Sequence, residues 1–274
     1  MSESYRRTSP AFLFSFRILM IDHNVKFQLL QLDTSDTHTL LLTYYYQNPI
    51  LKKGFTMDLI KAMNERKSIR AFKPDSIPKE KLEEMLRLSI HAPSAINLQP
   101  WEFIVVIGEE KERLSRRLIK AYHEKQIACS PGNVKPLPKT YGKRGAKTLA
   151  LMKPFFEEMG VDVDQYINEG SCTFYGAPVA ILLCLDDSFP NTNMVDIGIV
   201  LGYLVLTAHE FGLGTCPIGL ITAYEDEIKD LLNIPENKNV VIGVALGYPD
   251  WDVPINRFKS QRDHLEKFVR WIES

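Results

Sequence analysis

Residues 92–107 read Ala-Pro-Ser-Ala-Ile-Asn-Leu-Gln-Pro-Trp-Glu-Phe-Ile-Val-Val-Ile. The second half, Trp101–Ile107, is a run of aromatic and β-branched residues closed by Gly108, which predicts a strand. The first half is its opposite. Pro93 and Pro100 fix the backbone, and small residues between them let a flat ligand approach closely. Ser94, Asn97 and Gln99 supply donors and acceptors. Taken alone, the stretch serves equally well as a rigid helix-to-strand connection with Trp101 in the core.

Upstream, Pro78 opens a helix whose apolar face is Leu82, Met85, Leu86 and Ile90. Before it, Leu59, Ile60 and Met63 fall at helical spacing in a helix that begins at Met57. Downstream, 109–125 reads as an amphipathic helix and 126–145, rich in Pro and Gly, as a loop. A helix over 147–159 and a buried strand over 178–185 follow. Residues 195–211 are a nearly all-apolar helix, expected to be central and covered on most sides. A short helix over 224–232, a strand over 239–247 and a closing helix over 263–272 complete the chain. Strands do not alternate with single helices, so the fold class is α+β, a small sheet packed among helices, rather than a doubly wound sheet.

The 274 residues carry 33 Lys+Arg against 34 Asp+Glu, a formal net charge of −1. No basic excess points to nucleic acid. Cys129, Cys172, Cys184 and Cys216 form no C-x-x-C pair, and the histidines lack metal-ligand spacing, so neither a disulfide framework nor a metal site is expected. No uncharged apolar run approaches the ~20 residues that cross a bilayer, and a cytoplasmic location is the expectation. Residues 1–56 read differently from the rest. Arg17 interrupts their apolar run and no small-x-small site follows, which argues against a signal peptide. The expectation is an arm over 1–56, or translated sequence upstream of a start at Met57, and one domain over 57–274.

Four clusters carry candidate chemistry. Arg66-Lys67-Ser68-Ile69-Arg70, if extended, puts Arg66, Ser68 and Arg70 on one side and Ile69 toward the core. Two guanidinium forks and a hydroxyl suit a phosphate and a neighbouring polar ring. Alone, the cluster reads as a solvated basic run at a helix C-terminus. Pro93–Trp101 is the second. The third, 211–220, fails as a dinucleotide fingerprint because Pro217 stands where the last glycine belongs. Gly212 reads as a helix C-cap, leaving a loop whose backbone N–H groups can face a ligand. The fourth is Gly247-Tyr248-Pro249 with Arg257 beyond it, alone a surface arginine. Asp196, inside an apolar helix, is either a buried functional carboxylate or an early-turn acid favoured by the helix dipole.

In this order and spacing, the four clusters resemble the FMN-dependent nitroreductase family, over about four fifths of the chain. The resemblance implies an α+β sandwich with a small, mostly antiparallel sheet flanked by helices, forming an intertwined homodimer with FMN at the interface. It implies that Arg66 and Ser68, with Lys67 beside them, hold the FMN phosphate. Arg70 then lies near flavin N1 and O2, where a cation stabilises negative charge. Pro93, Ser94, Ala95 and Asn97 match the loop reaching the flavin from the partner chain. Pro217, Ile218, Gly219 and Leu220 match the loop over the flavin ring, and Arg257 a second phosphate contact. The implied activity passes hydride from NADH or NADPH through flavin N5 to a small electron-poor acceptor such as a nitroaromatic or quinone, with no obligatory side-chain acid or base. Reductive dehalogenation or flavin-destroying chemistry on the same fold is the first alternative. Iodotyrosine deiodinase-like members show P-S-G-A-x-x-E-P-W, against Ala95-Ile96 and Gln99-Pro100-Trp101 here. A non-catalytic flavin-binding or regulatory protein is the second. Ile255 departs from members that carry a basic residue there. Residues 126–176 match no transferable pattern.

Overall fold

The computed structural model describes residues 59–127 and 137–273; the arm 1–56, Met57 and Cys129 lie outside the described residues. Its organising element is β2, Val179–Asp186, buried along its whole length except at Asp186. An apolar run of this kind needs cover on both faces and partners on both edges. On one edge β1, Trp101–Ile107, pairs antiparallel, with Trp101 opposite Leu185 and Ile107 opposite Val179. On the other lies β4, Lys238–Gly247, and outside it β3, Gly214–Ile218. The order is β1-β2-β4-β3, antiparallel throughout.

Alternation along β2 sorts the helices into two layers. Ala180, Leu182 and Cys184 face a core built with α3 (Gly108–Lys125), α5 (Val163–Cys172) and α7 (Glu225–Leu232). Val179 and Ile181 face α2 (Lys79–Ser89) and α6 (Met194–Glu210), and Leu183 and Leu185 pack on Ile197 and Val200 of α6. Leu182 is fully buried; truncation to Ala at such a position costs about 2–5 kcal/mol. α1, Leu59–Glu65, precedes these layers, and α4, Lys139–Met159, packs on the turn Pro254–Arg257 through Met152, Phe156 and Ile255. The result is an α+β sandwich around a small antiparallel sheet, as expected.

The differences are local and have physical reasons. α4 begins at Lys139, not 147. Gly142 and Gly145 lie inside it at a cost of about 1 kcal/mol each relative to Ala. α5 has no counterpart in the sequence reading; Asp162 caps it by accepting the Gln165 N–H at 2.8 Å. Residues 214–218, read as loop, are the edge strand β3. Residues 263–272 are not a helix but extended chain with one turn, Leu265–Lys267. Leu265, Phe268 and Ile272 have helical spacing but no core among the described residues, being 65, 61 and 86% exposed. Such a short helix is marginal without burial. α6 is covered on one side only, with Val195 64% and Tyr203 41% exposed. Among the described residues, Asn191–Glu210 is the one segment long and apolar enough to cross a membrane; here its apolar face packs on the sheet.

Candidate functional site

The chain leaving α1 runs extended along the free edge of β3. Ser68 bridges Thr215 in parallel, and the Ile69 N–H donates to the Thr215 carbonyl at 2.9 Å. Further on, Phe72 bridges Pro249, and the Lys73 N–H donates to the Tyr248 carbonyl at 2.9 Å. Gly214 makes this approach possible. A Cβ there would lie 2.6 Å from Ile69 Cγ1 and 2.9 Å from Pro249 Cγ. Asn256, fully buried, clamps the segment from the far end of the chain. Its Oδ1 accepts the Arg70 N–H at 2.8 Å, and its Nδ2 donates to the carbonyls of Ala71 and Asp250 at 2.7 Å each. Ile69 is buried, as alternation predicts, and Arg66, Lys67, Ser68 and Arg70 are half-buried around it.

No described acidic residue pairs with the charge at this edge. Arg66, Lys67, Arg70, Lys259 and Arg262 form no ion pair among the described residues. Burial, then the charge of Arg262, holds the Arg66 guanidinium below its ordinary range. Burial, then Lys259, does the same to Lys67, whose Nζ sits 5.0 Å from the centre of the Trp251 ring. Gathering like charges on a half-buried edge is unfavourable unless an anion completes it. Lys259 and Arg262 escaped the sequence reading, because they approach Arg66 and Lys67 only through the fold. The structure gives Arg257 a different partner: it pairs with Glu158 of α4 and lies 5.9 Å from the Phe155 ring centre.

Arg70 turns toward the aromatic side of the site. The Tyr166 hydroxyl donates to the Arg70 carbonyl at 2.6 Å. Burial pushes the Tyr175 phenol up, while the nearby Arg70 guanidinium opposes that rise. Tyr166 and Tyr175 also line a groove of about 500 Å³ with Val161, Asp162, Gln165 and Glu169. At the end of β3, Pro217 is half-buried and Gly219 exposed, while Ile218 and Leu220 anchor the turn in the core.

Pro93–Asn97 stands apart from these groups within one chain. Ile96 is 90% exposed, and Ile96, Asn97 and Gln99 all have positive φ, at 41°, 60° and 49°. Left-handed backbone at non-glycine residues costs about 1–2 kcal/mol each, so the loop needs support. Asp196 supplies it: buried in the first turn of α6, it accepts the Ala95 N–H at 3.3 Å and the Asn193 amide at 2.8 Å. Ser94 Oγ accepts the Gln99 N–H at 2.9 Å. The early-turn acid thus has a positioning role.

Comparison with known proteins adds four findings. The model of the nitroreductase family matches residues 63–248, more than half of the chain. Nitroreductase NfnB of Mycolicibacterium smegmatis is 29% identical over 235 residues, covering 81% of this chain and 98% of that protein. A 4-nitrobenzoate reductase of Pseudomonas putida is 28% identical over 224 residues, 79% of this chain and 96% of that one. The crystal structure of the FMN-dependent NfnB from Mycobacterium smegmatis in complex with NADPH superposes with a TM-score of 0.70 at 29% identity, over 79% of this chain and all of that chain.

Proposed function

The chain belongs to the nitroreductase family, and from that premise we propose an FMN-dependent oxidoreductase that passes hydride from NADPH or NADH to nitroaromatic, quinone or similar electron-poor acceptors in a ping-pong cycle. The observation that carries this reading is the basic edge beside β3, where Arg66, Lys67, Lys259 and Arg262 gather without an ion pair among the described residues. Its donor set fits a phosphate monoester: Arg66, Lys67 and Ser68 on the edge itself, with Lys259 and Arg262 beside them. Bound FMN would supply the hydride-accepting N5, the chemistry that no side chain provides.

The protein's own residues bind, orient and tune. Arg70 provides a fixed cation for negative charge that develops on the ring, and Asn256 and Tyr166 hold its backbone. Pro217–Leu220 offers an ordered backbone edge at the end of β3.

The proposed assembly is a homodimer in which Pro93–Asn97 of a second copy completes the site. Three features support it. The strained loop is presented to solvent. On α6, Gly198 and Gly202 lie one turn apart, and a Cβ at either would have open space within 4 Å beyond its own helix backbone. Phe268, Trp271 and Ile272 leave a large apolar surface uncovered.

An anaerobic absorbance spectrum before and after NADPH, then NADH, tests the enzyme reading. A flavin band that bleaches with either is expected. A band that neither bleaches, or no band after FMN is added, refutes it.

A further inference from the structure

His209 lies in the last turn of α6, and its Nε2 is buried with no hydrogen-bond partner among the described residues. It lines a cavity of about 70 Å³ together with Arg66, Lys67, Thr215, Pro249 and Trp251. A single water needs only about 10–15 Å³, so this space can relay contacts between the imidazole and the basic edge. The charged groups acting on His209 come from two places: Lys61, Glu65 and Arg66 lie on α1 and the residue just after it, and Glu210 on its own helix. Glu65 and Lys67 also line the cavity. β3 and the 249–251 segment contribute only the neutral Thr215, Pro249 and Trp251. Burial first, then Arg66 and Lys61, hold the imidazole below its ordinary pKa, against the pull of Glu65 and Glu210. This environment favours the neutral imidazole in the chain alone.

We propose that His209 is a positioning residue for Arg66, facing it across this cavity, and that it takes up a proton when a phosphate group binds the basic edge. The proposal rests on the reading of that edge as the FMN phosphate site. A phosphate monoester brings a charge of about −1.5 to −2, which reverses the local field and favours the imidazolium. Linkage is reciprocal: if phosphate raises the proton affinity of His209, a proton on His209 tightens phosphate binding by the same factor. The sign follows. His209 strengthens FMN binding as pH falls through the range where imidazole titrates, and the gain disappears as pH rises.

The test is FMN release from the holoprotein, diluted into flavin-free buffer at fixed ionic strength and followed by flavin fluorescence. It spans about pH 6 to about pH 7.5, the window in which imidazole titrates, for the wild type and His209→Gln. The phosphate of free FMN titrates in the same window and is common to both measurements, so a difference between the two profiles reports the coupling of His209 to the bound phosphate. The expected result is a Kd that falls toward low pH more steeply in the wild type, by up to about tenfold for each unit of imidazole shift. Riboflavin, which lacks the phosphate, should show no such contrast. Equal pH profiles with FMN still bound overturn the His209 proposal alone. A wild type that retains FMN at no pH overturns the phosphate-site reading and the proposal with it. His209→Asn, also polar and uncharged, replaces His209→Gln if that variant does not fold.

Discussion

Replacing Asn256 with Ala removes the clamp on the segment that carries Arg66–Arg70. Three hydrogen bonds are lost, at 2.8, 2.7 and 2.7 Å, from a side chain with no exposed surface. They do not count equally. The Ala71 carbonyl keeps a second partner, the Asp250 N–H at 3.1 Å. The Arg70 N–H and the Asp250 carbonyl lose the Asn256 partner without such a replacement. A buried group left unsatisfied costs about 1–3 kcal/mol, so two of them give roughly 3 kcal/mol, or about a hundredfold in the folding equilibrium. Urea denaturation of wild type and Asn256→Ala measures this directly. The midpoint should fall with the slope unchanged, because the surface exposed on unfolding is the same. FMN content at purification should fall as well, since Arg70 loses its backbone support. A destabilisation below about 1 kcal/mol with flavin fully retained would refute the reasoning, because the clamp would then be neither energetic nor functional.

Further outcomes follow from other parts of the site. Gly214→Ala forces a methyl into Ile69 and Pro249; overpacking of this kind costs about 1–3 kcal/mol, visible as a lowered denaturation midpoint, and an unchanged midpoint would contradict the close approach of the two strands. Arg262→Ala should weaken FMN retention by about 1.5–3 kcal/mol, the worth of a hydrogen bond to a charged group. Arg257→Ala, which breaks a half-exposed pair with Glu158, should change it by less than about 1 kcal/mol; the reverse order in flavin titrations would make Arg257 the stronger phosphate contact of the two. Burial, then Glu102 and Glu225, push the Cys184 thiol up to about 12. Its thiolate is thus scarce at pH 8, and peptide mapping after thiol labelling should find Cys184 modified only once the protein is denatured.

Much of the sheet was legible because its strands carry their burial in their composition. Trp101–Ile107 was read with its observed bounds, and Val179–Asp186 and Lys238–Gly247 within a residue or two. β3 was not, because Gly214 and Pro217 look like loop residues. Proline is tolerated there because β3 is an edge strand, and glycine is needed there because Ile69 presses on it. α5 did carry a signal, Asp162 three residues before Gln165, which is a capping pattern. The closing helix failed for the converse reason: its spacing is real, but its apolar residues Leu265, Phe268 and Ile272 stay exposed.

The sequence by itself determined the α+β class, the central strand, and the motifs at 66–70 and 92–101, because periodicity and local chemistry are properties of neighbouring residues. Only the tertiary structure decided which charges meet. Arg262 and Lys259 lie nearly two hundred positions from Arg66 and Lys67, and Coulomb interactions depend on distance in space rather than along the chain. The same holds for Asn256 on Arg70, for His209 in the cavity behind Arg66, and for the pairing that draws Arg257 to Glu158. Each is a contact between segments that no local pattern links, brought together by the burial of one sheet between two layers of helices.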